Sequence, residues 1–120
     1  MEVRIKVDEN SFYIEYIRAF NGFLNLSKNE ILILAEFLKE ESLLHKENKD
    51  LLFDTSIRKR IQDRLGISVY NLNNYISGFK SKGIMVEQDG KKYLNPRVIP
   101  KLRGKDFNLN FKFIWKSTTP

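Results

Sequence analysis

Between Ser68 and Lys82 the chain carries no aspartate or glutamate, and the positions outside its apolar spacing are Tyr70, Asn71, Asn73, Asn74, Ser77 and Lys80. A carboxamide offers a donor and an acceptor side by side, so an asparagine there can pair in bidentate fashion with N6 and N7 of adenine in a DNA major groove. Tyr70, Asn71, Asn73, Asn74 and Ser77 are therefore the base-facing candidates. Arg58, Lys59 and Arg64 precede the segment, Lys80 closes it, and Lys91 and Lys92 follow. These six suit phosphate oxygens, contacts that set position and non-specific affinity and weaken as salt rises. Asparagines and lysines are also ordinary surface residues, and Asp63 dilutes the basic side before the segment.

Enzyme chemistry has little to draw on. Cysteine is absent and His45 is the only histidine, which leaves no thiolate nucleophile, no zinc cluster and no Ser/His/Asp set. His45 stands in a charged connection with no partner cluster and reads as a solvated side chain. Glu40 and Glu41 are adjacent, so on a helix they point to different sides and form no carboxylate dyad. No glycine-rich phosphate loop occurs. The expectation is a protein that is not an enzyme, with no catalytic residue, no metal site and no cofactor.

Charge is distributed unevenly. The 120 residues carry a formal net charge of +6. From Glu36 to Asp50 five acids oppose three bases. From Ile57 to Lys82 six bases face Asp63 alone, and from Lys91 to Lys105 six bases face no acid. A basic balance bears on non-specific partners such as nucleic acid and not on fold; its concentration in the second half carries more than the total.

Several elements must position those side chains. Val3, Ile5 and Val7 alternate with Arg4 and Lys6, the pattern of a half-buried strand over 2–7. Tyr13, Ile17, Phe20 and Leu24 have helical spacing, with Phe12 and Tyr16 flanking them, and Asn21-Gly22 weakens or ends that helix. These aromatics read as core or as a contact with a second copy. Ser27-Lys28-Asn29-Glu30 fits a capping box, with Leu26 and Ile31 as a hydrophobic staple. Ile31, Leu34, Ala35 and Leu38 then face inward, and Glu36, Lys39 and Glu40 outward. Leu51-Leu52-Phe53 suits a brief strand.

Ile57, Ile61 and Leu65 give the next helix an inner face, with Ser56 or Asp54 as its cap; Gly66-Ile67-Ser68 makes a turn. Leu72, Ile76 and Phe79 line the helix after it, which Gly83 ends. Two alternating runs around Asp89-Gly90 predict a hairpin with a type I′ turn. Arg97 to Lys105 is an irregular basic connection. Phe107, Leu109, Phe111, Phe113 and Trp115 occupy every second position, which predicts a strand with one apolar face.

The order helix, short strand, two helices around Leu65-Gly66-Ile67-Ser68 and hairpin at Asp89-Gly90 resembles the winged helix-turn-helix superfamily. The stretch Ile57 to Leu94 is similar to small bacterial and phage regulators and plasmid replication proteins, in which a turn of the LGIS type leads into the recognition helix and a KGI segment, here Lys82-Gly83-Ile84, leads into the wing. The resemblance covers about half of the chain, from Ile31 to Asn95. It implies a mainly α fold with small β elements, a β-wing and extra terminal strands. It also implies a transcription regulator or replication accessory factor that binds double-stranded DNA. The wing is short and holds Glu87 and Asp89, so Lys91 and Lys92 suit a flanking phosphate better than its tip suits the minor groove.

This divides the chain into an N-terminal strand and helix extension over 1–26, a winged helix-turn-helix over 27–96, and a basic linker with a C-terminal strand or arm over 97–120. The rival expectation is a winged-helix adaptor or viral assembly protein that does not read DNA, since fold does not dictate function. Residues 107–116 are its best support. They either pair with 2–7, within the chain or in a homodimer through the terminal segments, or add a strand to a protein partner. No window approaches the roughly 20 apolar residues of a membrane span, and no apolar signal region opens the chain. A bacterial or host-cell interior, or a virion, is the expected setting, with no membrane partner.

Overall fold

Ser27 opens the longest helix through the reciprocal bonds its spacing predicts. Its Oγ accepts from the Glu30 N–H at 3.2 Å, and Glu30 Oε1 accepts from the Ser27 N–H at 3.0 Å. The result is α2, Lys28–Leu43. A computed structural model describes residues 2–102 and 106–116 of the chain. In it α1 spans Phe12–Leu24, α3 Thr55–Leu65 and α4 Val69–Ser81, and an antiparallel hairpin pairs β1, Met85–Gln88, with β2, Lys91–Leu94. Short 3-10 turns occupy Lys46–Leu51 and Pro96–Val98. The protein is thus mainly helical with one small sheet.

One apolar core joins the four α-helices and the hairpin. Ile17 from α1, Leu34, Phe37 and Leu38 from α2, Ile61 from α3, and Leu72 and Phe79 from α4 are fully buried, and Ile84, Met85 and Leu94 close it from the hairpin. The corner between α1 and α2 is pinned by Asn21, whose Oδ1 accepts from the Leu26 N–H at 2.8 Å while its Nδ2–H donates to the Leu26 carbonyl at 2.9 Å. Asn21-Gly22 therefore does not end α1. The helix loses regular geometry at Phe20 and continues to Leu24, with Asn25 in the left-handed region as its cap. Tyr16 spans the fold by donating to the Val98 carbonyl at 2.9 Å, and burial pushes the pKa of its hydroxyl up to about 12.

Four expectations are corrected. Residues 2–7 are exposed and join no sheet. An alternating hexapeptide makes a strand only where a partner takes up its N–H and C=O groups, and none lies beside it among the described residues. Leu51-Leu52-Phe53 is the end of a 3-10 turn and the bend after it, with Leu52 and Phe53 plugging the core instead of pairing. Residues 107–116 also form no strand. They meet α1 through rings: Phe107 packs edge-on against Phe12 and Tyr16 at 5.7 and 5.4 Å, and Phe111 stacks on Phe23 at 5.4 Å. The terminal segments thus do not pair with each other among the described residues. The part of the basic connection at 103–105 and the last residues, 117–120, lie outside the described residues.

The fourth concerns Glu40, which is only 5% exposed. Both oxygens are engaged by Arg60, Nη2 at 2.8 Å and Nε at 3.3 Å, and Arg64 Nη2 donates to Oε1 at 3.0 Å. Arg64 Nε reaches Glu36 at 2.9 Å. The hydrophobic spacing of α2 leaves Glu40 off the apolar stripe, yet α3 packs over it. The Arg60 hydrogen bonds hold its carboxyl below the ordinary value of 4.5 against the opposing pull of burial, with Arg64 adding to them. A lowered folded-state value means that the pairing stabilises fully above 4.5 and is lost as pH falls through the lower, folded value. Acid should therefore loosen α3 from α2. Unfolding free energy should drop from neutral pH into that range more steeply in the wild type than in Glu40→Gln. Parallel pH profiles for the two proteins would show that the network contributes nothing.

Candidate nucleic-acid interface

Gly66 ends α3 in the left-handed region at φ 65°, where a side chain would be strained. Ile67 packs against the core, and Ser68 Oγ accepts from the Asn71 N–H at 3.1 Å to start α4. The turn thus fixes the rotation of α4 about its axis. Leu72, Ile76 and Phe79 are buried, while Tyr70, Asn71, Asn73, Asn74 and Ser77 all lie exposed on the other side. The five base-facing candidates share one outward surface, and no carboxylate is among them. The hairpin follows directly, turning at Asp89 and Gly90 with φ of 54° and 76°, the double positive pair of a type I′ turn.

The six basic candidates separate into two groups. Arg64 is held by Glu36 and Glu40 on the side of α3 that meets α2. Lys80 reaches Glu87 on β1 at 3.0 Å, and its hydrogen bond and charge hold that carboxyl below the usual range. Lys91 lies 3.7 Å from Asp50. Arg58, Lys59 and Lys92 make no ion pair among the described residues. Exposure decides which pairings matter: Lys80–Glu87 and Lys91–Asp50 involve exposed cations, where ion pairs contribute little, so either base can turn to another anion. Releasing Arg64 would take one donor from the buried Glu40 carboxylate and another from Glu36, which costs more. Arg60 and Lys82 are likewise engaged, by Glu40 and Glu30.

A shallow notch of about 280 Å³ brings three elements together, lined by Phe53, Arg58 of α3, Asn73, Ile76 and Ser77 of α4, and Lys92 of β2. Arg58 Nη1–H donates to Asn73 Oδ1 at 3.0 Å, and Nη2–H reaches Thr55 Oγ1 at 3.4 Å. The Arg58 Nε–H is shielded from solvent and finds no partner among the described residues. The spacing of Arg58 and Asn73, fifteen residues apart, gives no hint of this contact; it exists because the turn at Gly66 folds α4 back across α3.

Among the described residues there is no cluster of histidine, cysteine, aspartate and glutamate arranged to hold a metal, and no helix long and apolar enough to cross a membrane. Comparison with protein-family models, with curated proteins and with solved structures returns no significant match to this chain.

Proposed function

We propose that this chain is a DNA-binding protein of the winged helix-turn-helix kind, with α4 lying in the major groove and the β1–β2 hairpin beside it as a wing. The observation that carries this reading is the acid-free, exposed face of α4, set next to the three candidate bases that the fold leaves without acids. At 1.5 Å per residue α4 is about 20 Å long, enough to lie along a groove roughly 12 Å wide. Asn71 and Asn74 are the residues best placed to read base edges. Arg58, Lys59 and Lys92, with Lys80 and Lys91 exchanging weak partners for phosphates, supply the backbone contacts. Arg64 drops out of that set because α2 holds it. The role this supports is regulation of transcription or an accessory part in replication.

The test is binding of duplex DNA by the full chain at two salt concentrations, against a random-sequence pool and then against the sequences selected from it. Wild type should bind more weakly at higher salt. Asn74→Ala should relax sequence preference by about 1–3 kcal/mol while leaving the salt dependence unchanged. No binding at low salt ends the DNA reading; an equal loss on every sequence would make Asn74 a backbone contact.

A second reading draws on the tail. Phe113 is 91% and Trp115 94% exposed, with Ile114 between them also exposed. Large apolar groups so placed suit a partner surface, either a second copy of the chain or another protein. If DNA binding fails at low salt, an adaptor role through residues 109–116 becomes the leading reading.

A further inference from the structure

We propose that the notch between α3, α4 and β2 seats a single phosphate group through Arg58, Asn73, Ser77 and Lys92, and that Asn73 is a phosphate-positioning residue and not a reader of bases. Asn73 sits on the outward face of α4, where its type alone suggests adenine. A bidentate pair with adenine, however, needs the carboxamide oxygen to accept from N6–H while the nitrogen donates to N7. The Asn73 oxygen already accepts from the Arg58 guanidinium. Breaking that charge-assisted bond offsets part of what a bidentate base contact returns, so Asn73 gains less there than a free asparagine would. What remains available on Asn73 is the Nδ2 donor, which suits a ligand that only accepts.

The rest of the notch has the same character. Ser77 lies four residues on and therefore on the same face of α4 as Asn73. Lys92 adds an ammonium from β2, Arg58 adds a guanidinium whose shielded Nε–H has no partner among the described residues, and no carboxylate lines the notch. Glu87 faces Lys92 across the hairpin register, but its carboxylate is drawn to Lys80. Phe53 and Ile76 form an apolar floor beneath these donors. Two cations and two neutral donors above such a floor match an oxyanion. Only the owner of the phosphate rests on the DNA reading. A backbone phosphate seated here would fix the register of Asn71 and Asn74 on the duplex, whereas a free phosphate would use the same donors.

Inorganic phosphate titrated into the isotope-labelled full chain should shift the Arg58 Nε–H and Asn73 side-chain amide resonances along a saturating curve. Asn73→Asp keeps an oxygen for Arg58 but replaces the donor with negative charge, so the Arg58 response should vanish there and persist in Asn74→Asp. A linear, unsaturated drift in wild type overturns the seat whether or not DNA binds. In the second arm, neutralising one backbone phosphate of the selected duplex as a methylphosphonate should weaken wild type roughly tenfold and Lys92→Ala hardly further. Saturable phosphate binding without DNA binding would keep the seat for a free phosphate and end the DNA reading. DNA binding in which Asn73→Asp changes sequence preference without loss of affinity would return Asn73 to base reading and overturn the proposal.

Discussion

Phe79→Ala is expected to cost about 3–5 kcal/mol of folding stability, read from denaturant unfolding followed by circular dichroism. Phe79 is 0% exposed, lies in the last turns of α4, and its carbonyl accepts from the Ile84 N–H at 2.8 Å, where the chain leaves the helix for β1. Truncating the ring removes its transfer free energy and leaves a cavity that the packed core cannot fully close. A domain of this size holds roughly 5–15 kcal/mol in total, so this one change removes about a fifth of it or more. The consequence reaches function, because the same core contacts fix which side of α4 faces outward. Asn74→Ala, on the opposite side, should stay within about 0.5 kcal/mol of wild type. A loss under about 1 kcal/mol for Phe79→Ala would mean that the ring does not sit in a packed core.

The second large effect is electrostatic. Replacing Arg58, Lys59 and Lys92 together by alanine should lower the slope of log affinity against log salt by about 1.8, at roughly 0.9 for each of two phosphates no longer neutralised, the one shared by Arg58 and Lys92 and the one met by Lys59. Affinity should fall on every duplex, selected or not. The matched control replaces Arg60 and Arg64, which removes nearly the same charge, all of it from α3. Both arginines are occupied with Glu40, so the control should lose stability and keep its salt slope once it is measured in the folded state. The two variants differ little in net charge, which separates placed contacts from a general attraction to polyanions. Equal slopes in the two variants would show that the position of each base is irrelevant and that the binding is a bulk property of a basic chain.

Much of the helical architecture was legible in the sequence because local rules suffice for it. The capping box at Ser27 and Glu30 needs four residues, the left-handed stop at Gly66 needs one, and the turn at Asp89-Gly90 needs two; each appears in the structure where its residues stand. The outward surface of α4 was legible for the same reason. A period of 3.6 separates Leu72, Ile76 and Phe79 from the residues between them without knowledge of anything else in the molecule.

The misreadings arose where an outcome depends on a distant partner. Alternation in 2–7 and in 107–116 states that two faces differ, but not that another strand waits beside them; Phe107 and Phe111 found the rings of α1 instead. Glu40 lies outside the stripe of α2 and looked solvated, until α3 crossed over it with Arg60 and Arg64.

Local rules thus account for most of the helices, the caps at Ser27, Gly66 and Ser68, the hairpin, and an acid-free face on α4, all consequences of bonds and steric limits within a few residues. Which cations remain available is set by packing between helices, which commits Arg60 and Arg64 to a buried carboxylate and leaves Arg58 and Lys92 beside Asn73. Charge is read one residue at a time, but its neutralisation is a property of pairs, and the pairs that join α3 to α2 lie 20 to 28 residues apart in the chain.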